Sequence, residues 1–202
     1  ESNQTEADIE AWFPGLNNPD NNLDWLQSKK VGNAYVIVMN SQDPALTTIG
    51  GDQYNYVQTQ LTIAKNMRTA GQIDWIIVMV HKSWFNLLGS NPSYVQARHT
   101  YSAMFNDAQV DFVFHGHNHS YAIWRPVVAI PGDNENTSAQ QLFTMANDGT
   151  TYDMAKPHGA FYIINGNGGH EINFWGEDPT NFPNVIYACL LYTSPSPRDK
   201  RQ

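Results

Sequence analysis

Hydrophobic and polar positions along the chain fall into short continuous runs and helical stripes, in alternation. Ala34–Met39, Trp75–Val80, Val110–Phe114 and Ala160–Ile164 are apolar runs rich in β-branched and aromatic residues, the pattern of strands buried within a sheet. Between the first two runs, Tyr54, Val57, Leu61, Ala64 and Met67 recur at three- and four-residue spacing, which predicts one face of a helix. Asp52 is the expected N-cap of that helix and Gly71 its C-terminal stop. Asn91 and Pro92 open a second helix, with Tyr94, Ala97, Tyr101, Met104 and Phe105 on its buried face and His99 off the stripe, in solvent. Val127–Ile130 and Leu142–Met145 are expected strands of a second sheet, joined by the turn-rich segment Pro131–Asn136. Residues 1–30 read as a polar, turn-rich lead-in, with Trp12, Phe13 and Leu16 tucked onto the core. Strands alternating with helices predict an α/β fold around a parallel sheet.

The chemistry concentrates where two of these strands stop. Trp75–Val80 ends at His81, and Val110–Phe114 runs into His115-Gly116-His117-Asn118-His119. Parallel neighbours that both end in histidine bring imidazoles to one edge of the sheet, the edge where α/β proteins bind ligands. Any one of these histidines alone reads as a structural residue. His117 and His119 together are different: two residues apart in extended chain, both rings can face the same way. Gly116 allows the backbone to turn and to approach another group closely. Neutral imidazole is the commonest protein ligand for metals, so His81, His117 and His119 are the candidate metal ligands. Trp84 and Phe85, just after His81, either wall the site or pack beneath its loop.

These segments also carry a family resemblance. Val78-Met79-Val80-His81 followed by Gly116-His117-Asn118-His119 resembles the last two signature motifs of calcineurin-like metallophosphoesterases. Val80-His81-Lys82-Ser83-Trp84-Phe85-Asn86 and Phe114–Tyr121 are similar to the purple acid phosphatase branch, whose corresponding turn reads Gly-His-Val-His-Ala-Tyr. Tyr162-Ile163-Ile164-Asn165-Gly166-Asn167-Gly168-Gly169-His170-Glu171 resembles that branch's C-terminal strand and its Gly-Asp-Gly-Gly-Asn-x-Glu turn. The matches run in order from about residue 30 to residue 185.

The resemblance implies a partial metallophosphoesterase β-sandwich flanked by helices, with its N-terminal strands missing. It implies phosphoester hydrolysis at two metal ions, iron paired with zinc, manganese or a second iron, acting on a phosphorylated small molecule or nucleotide. It would place His81 and His117 on one ion and His119 on the other. The family's remaining ligands lie before the strand at Ala34: an Asp, an Asp-x-x-Tyr whose Asp bridges the ions, and an Asn-His. Asp52 and Tyr54 are too close in sequence to supply the Asp-x-x-Tyr motif. Glu1 falls where an Asn-His-Glu motif would end. The branch's paired histidines after the first histidine strand are absent, with Ser90 and Asn91 near their places, which leaves acid-phosphatase specificity open. The expectation is the C-terminal part of a catalytic domain, spanning residues 1–188, inactive and poorly soluble by itself. Two other readings stay open: a mononuclear zinc hydrolase using three histidines and water, and a metal-free module that binds rather than cleaves.

Composition narrows this further. A net charge of −8 argues against a nucleic-acid-binding surface. No apolar run approaches a membrane span. Cys189 is the single cysteine, which excludes an internal disulfide and a thiolate zinc cluster. Residues 189–202 are Pro/Ser-rich and basic, resemble translated adapter sequence, and are set aside from the fold. Gly166–Gly169 reads as a tight turn after a strand, lacking the Lys-Ser/Thr of a phosphate-binding loop. Asn136-Thr137-Ser138 matches a glycosylation acceptor, and the family resemblance favours an extracellular or periplasmic location.

Overall fold

The computed structural model describes residues 26–85, 92–129, 139–141, 144–145, 152–153, 159–166 and 185–189. Within them, β1 (Gln27–Val31), β2 (Ala34–Met39), β3 (Trp75–Val80), β4 (Phe112–His115), β5 (Tyr121–Ala129), β6 (Ala139–Gln141), β9 (Ala160–Asn165) and β10 (Val185–Cys189) form one mixed sheet, and β7 (Thr144–Met145) pairs with β8 (Tyr152–Asp153) in a separate two-stranded sheet. The main sheet runs β1-β2-β3-β4-β9-β5-β10, with β6 beside β5. Its centre, β2-β3-β4-β9, is parallel, so four strand ends share one edge. The residues set aside at the C-terminus begin one position inside β10, at Cys189.

Two helices cover one face of this sheet. Helix α1 (Asp52–Thr69) buries Val57, Leu61 and Ala64, and Tyr54 and Met67 pack at the margin of the same cluster, the stripe read from the sequence. Its N-cap is Gly51 rather than Asp52. Asp52 is the first helical residue, and its carboxylate meets the positive end of the helix dipole instead of capping it. The chain leaves α1 through Ala70 and Gly71, whose φ of +68° is the left-handed turn a glycine accepts freely. Helix α2 (Pro92–Asp107) packs on β5 and buries Ala97, Tyr101 and Phe105 in the same core cluster. His99 is half-buried, with its Nε2 enclosed, and does not stand in solvent as its position off the stripe suggested.

Three other expectations change. Gln27–Val31 is an edge strand, paired antiparallel with β2, in a stretch read as loop. Its side chains, mostly polar and running from half-buried at Gln27 and Ser28 to exposed at Lys29–Val31, give no apolar alternation. The third apolar run becomes a strand only at Phe112, because Gln109 turns the chain with φ +55° and Val110 plugs the core at 0% exposure. The run at Val127 belongs to a longer strand in the main sheet rather than to a second sheet. Pro126 interrupts the hydrophobic pattern there, and the pairing slips between Trp124 and Val127, a bulge that accommodates a residue without an N–H.

Trp84 and Phe85 are core, at 1% and 0% exposure, stacked among Tyr101, Phe105 and Tyr162. The opposite face of the sheet is also apolar. Trp75 and Met79 are 43% and 45% exposed there, beside the touching rings of Phe112, Phe114 and Phe161. No helix among the described residues is long and apolar enough to cross a membrane. Glu1, Trp12, Phe13, Leu16, Ser90, Asn91, Pro131–Ser138, Leu142, His158, Asn167–Glu171 and residues 190–202 lie outside the described set.

Candidate functional site

The parallel register carries β3 and β4 to the same edge. Ile77, Val78 and Met79 stand opposite Phe112, Val113 and Phe114, and the Gly116 N–H donates to the His81 carbonyl at 3.0 Å. The strand ends are thereby tied at the level of the histidines. A cavity of about 430 Å³ opens at this edge, lined by Met39, Met79, His81, His115, Gly116 and Asn165 among others.

Gly116 packs closely under His81. A Cβ at this position would lie 3.2 Å from His81 Nδ1, a tight contact at which the His81 ring would have to give by a few tenths of an ångström. His117 follows with φ +63°, a left-handed conformation that costs a non-glycine residue on the order of 1–3 kcal/mol. That turn brings the His117 ring to 5.3 Å from the His81 ring, edge to face at 73°. The turn is braced from beneath. The Ser83 hydroxyl donates to the Gly116 carbonyl at 3.0 Å, and the Gly166 N–H donates to the Ser120 carbonyl at 3.2 Å. A Cβ on Gly166 would fall 1.9 Å from the Asn118 carbonyl oxygen, so only glycine lets the end of β9 lie against the histidine turn.

Of the sequence candidates, His81 and His117 are brought together, His81 exposed and His117 half-buried. His119 follows in the same turn, half-buried, with its Nδ1 enclosed. Two imidazoles at this separation fit as a pair of donors to one ion, a set suited to zinc or iron. Among the described residues, no group of three or more His, Cys, Asp or Glu side chains gathers closely enough to hold an ion alone.

Two residues matter here that the sequence reading did not assign. His115 alternates inward at the end of β4, 4% exposed between Trp84 and Tyr162, its Nδ1–H donating to the Val80 carbonyl at 3.1 Å. Burial pushes its pKa down to about 4, so it is neutral at pH 7 and serves as a pillar under the site. Strand alternation is a signal that could have found it. Tyr94 is the other. Its hydroxyl lies 3.3 Å from His117 Nε2, and its ring meets the imidazole at 88°. Helical spacing placed Tyr94 on a buried face and said nothing about which strand end it would reach.

Beside the histidines, a second cavity of about 380 Å³ is lined by Ser41, Asp43, Lys82, Tyr94 and Gln96 among others. Gln53, 1% exposed, shapes it from below: its amide donates to the Asn40 carbonyl at 3.1 Å and the Asp43 carboxylate at 2.9 Å, and its oxygen accepts from the Asn40 N–H at 2.8 Å.

No protein-family model matches the chain. Uncharacterized proteins from two Mycobacterium tuberculosis strains, CDC 1551 and H37Rv, are each 29% identical over 89 residues, which is 44% of this chain and 16% of their own length. The fold is similar to purple acid phosphatase PPD1 from yellow lupin (Lupinus luteus) seeds, with a TM-score of 0.60 at 16% identity, over 91% of this chain and 30% of that one. PhoD is a weaker likeness, with a TM-score of 0.47 at 11% identity over 81% of this chain and 34% of that one. The chain thus spans under a third of the lupin enzyme and a smaller part of the mycobacterial proteins. The likeness is one of fold: the α/β architecture described above is similar to part of the lupin enzyme.

Proposed function

We propose that this chain is the histidine-bearing part of a metal-dependent phosphoester hydrolase resembling the purple acid phosphatases. The observation that supports it most directly is the meeting of His81 and His117, their rings 5.3 Å apart at the C-terminal edge of parallel strands, beside a glycine on which a side chain would crowd the His81 ring. In this reading His81 and His117 hold one ion and His119 contributes to a second, with carboxylate, phenol and amide ligands from sequence preceding Ala34. The ion pair, iron with zinc, manganese or iron, would supply an activated water and neutralise charge on the phosphoryl oxygens. The chain's own residues orient the ligands. His115 and the Gly116 N–H fix the ends of β3 and β4 together, and Gly166 supports the turn that carries His117 and His119. The substrate is a phosphorylated small molecule or nucleotide.

A second reading, a module that binds without cleaving, draws on the lack of a three-donor cluster among the described residues. Metal content and phosphatase activity of the protein expressed from its complete reading frame separate the two. Two ions per chain, with phosphate release that His117→Ala abolishes, are expected for the hydrolase. One ion per chain would instead favour a mononuclear zinc enzyme. Absence of both metal and turnover would overturn the proposal in favour of the binding module.

A further inference from the structure

The two nitrogens of a ligating imidazole have separate duties: one binds the ion, and the other is held by a hydrogen bond that sets the tautomer and the ring plane. The left-handed turn at His117 takes its side chain out of the regular alternation of β4, so the strand alone does not fix where the ring points. Two neighbours do. The His81 ring lies edge to face on it at 5.3 Å, and the Tyr94 hydroxyl stands 3.3 Å from its Nε2. Tyr94 comes from the first turn of α2, distant in sequence and anchored in a different layer. It is itself held: the Lys82 ammonium lies 5.4 Å over its ring, a cation on a π face, next to the cavity that both residues line.

We propose that Tyr94 is a positioning residue for His117. Its hydroxyl engages Nε2 and holds the plane of the imidazole, with Lys82 keeping the phenol ring in place. The inference rests on the metal-hydrolase reading, since the role it gives Tyr94 has meaning only if His117 is a ligand. Were an ion held at Nδ1, Nε2 would carry the ring proton and donate it to the phenol oxygen. The role is distinct from catalysis, because Tyr94 acts through His117 and not on a substrate.

The test is Tyr94→Phe, which keeps the ring, its edge contact and the seat for Lys82 while removing only the hydroxyl. In metal-free protein labelled with ¹⁵N-histidine, two-bond proton–nitrogen spectra should show the His117 Nε2 resonance moving on substitution, with that of His115 staying in place. Zinc titration should then show the variant binding roughly tenfold or more weakly, the scale seen when such supporting bonds are lost. If the His117 resonance does not move, or the two proteins bind zinc within about twofold of each other when bonds of this kind are worth tenfold or more, the proposal is overturned while the hydrolase reading stands. If the resonance moves but the unsubstituted protein takes up no zinc, iron or manganese, the hydrolase reading falls. Tyr94 is then a structural contact, and its positioning role falls as well.

Discussion

The parallel strands β3 and β4 are finished differently at their two ends. At the end where they begin, the Asp111 carboxylate, 2% exposed, accepts the Ile76 N–H at 2.8 Å and pairs with the Arg68 guanidinium. Arg68 also donates to the Gln109 carbonyl at 2.6 Å, so the last turn of α1 is bolted to the sheet. The Asp111 N–H and carbonyl continue the ladder to Ile76 and Phe161. At the end where the strands finish, the arrangement relies on close backbone approach and strain: Gly116 under His81, Gly166 under Asn118, and His117 in a left-handed conformation. The first end is built for stability, with charge neutralised and backbone groups matched. The second gives up some stability to hold imidazoles at an open edge, the arrangement the proposed site calls for.

That contrast can be broken from either side. The largest effect is expected at the closed end. Arg68→Ala leaves the buried Asp111 carboxylate without its cation and should lower unfolding free energy by about 3 kcal/mol, measured by chemical denaturation. The zinc affinity of the folded protein should be unchanged, and a loss below about 1 kcal/mol would mean that the pair is no more than a surface salt bridge.

Acid should act at the open end. His115 is held neutral in the fold, with a pKa lowered from 6.5 to about 4, whereas the unfolded chain takes up the proton near 6.5. The stability this burial contributes is fully present above pH 6.5 and drains away as pH falls toward 4, by up to about 3 kcal/mol. Melting curves across that range for the native protein and for His115→Phe check it: the variant should lose the slope contributed by this residue.

Gly166→Ala forces the end of β9 away from the Asn118 carbonyl. About 2 kcal/mol of destabilisation is expected, in the range of core overpacking. His117 and His119 resonances should be displaced, and an unperturbed histidine spectrum would show that the turn yields without moving its ligands. The smallest effect has the opposite sign. His117→Gly relieves the left-handed strain and should raise stability by about 1 kcal/mol, while abolishing metal uptake by the pair. Unchanged or reduced stability would mean that the contacts of the imidazole outweigh the cost of its backbone.

Much of the frame was legible in the order of the residues. Ala34–Met39 and Trp75–Val80 are strands with the bounds the apolar runs predicted, and the stripe from Tyr54 to Met67 marks the inner side of α1. These elements are encoded locally, because burial repeats with the period of the element that produces it. Strand ends in adjacent parallel strands meet by topology alone, so His81 and the Gly-His-x-His turn could be placed at one edge without coordinates. Elements whose reason lies elsewhere in the fold were not legible. Gln27–Val31 is a strand because β2 offers it an edge, and its own composition is that of a loop. β5 joins the main sheet through pairing with β9 and β10 that no local pattern encodes. The Arg68–Asp111 pair, the bond from Tyr94 to His117 and the fit of Gly166 under Asn118 join residues far apart in the chain. The sequence by itself determined the central strands and placed the candidate histidines at the ends of two of them. Only the tertiary structure decided which rings meet, which nitrogen is engaged and which glycine cannot change, because those follow from distances across layers of the fold.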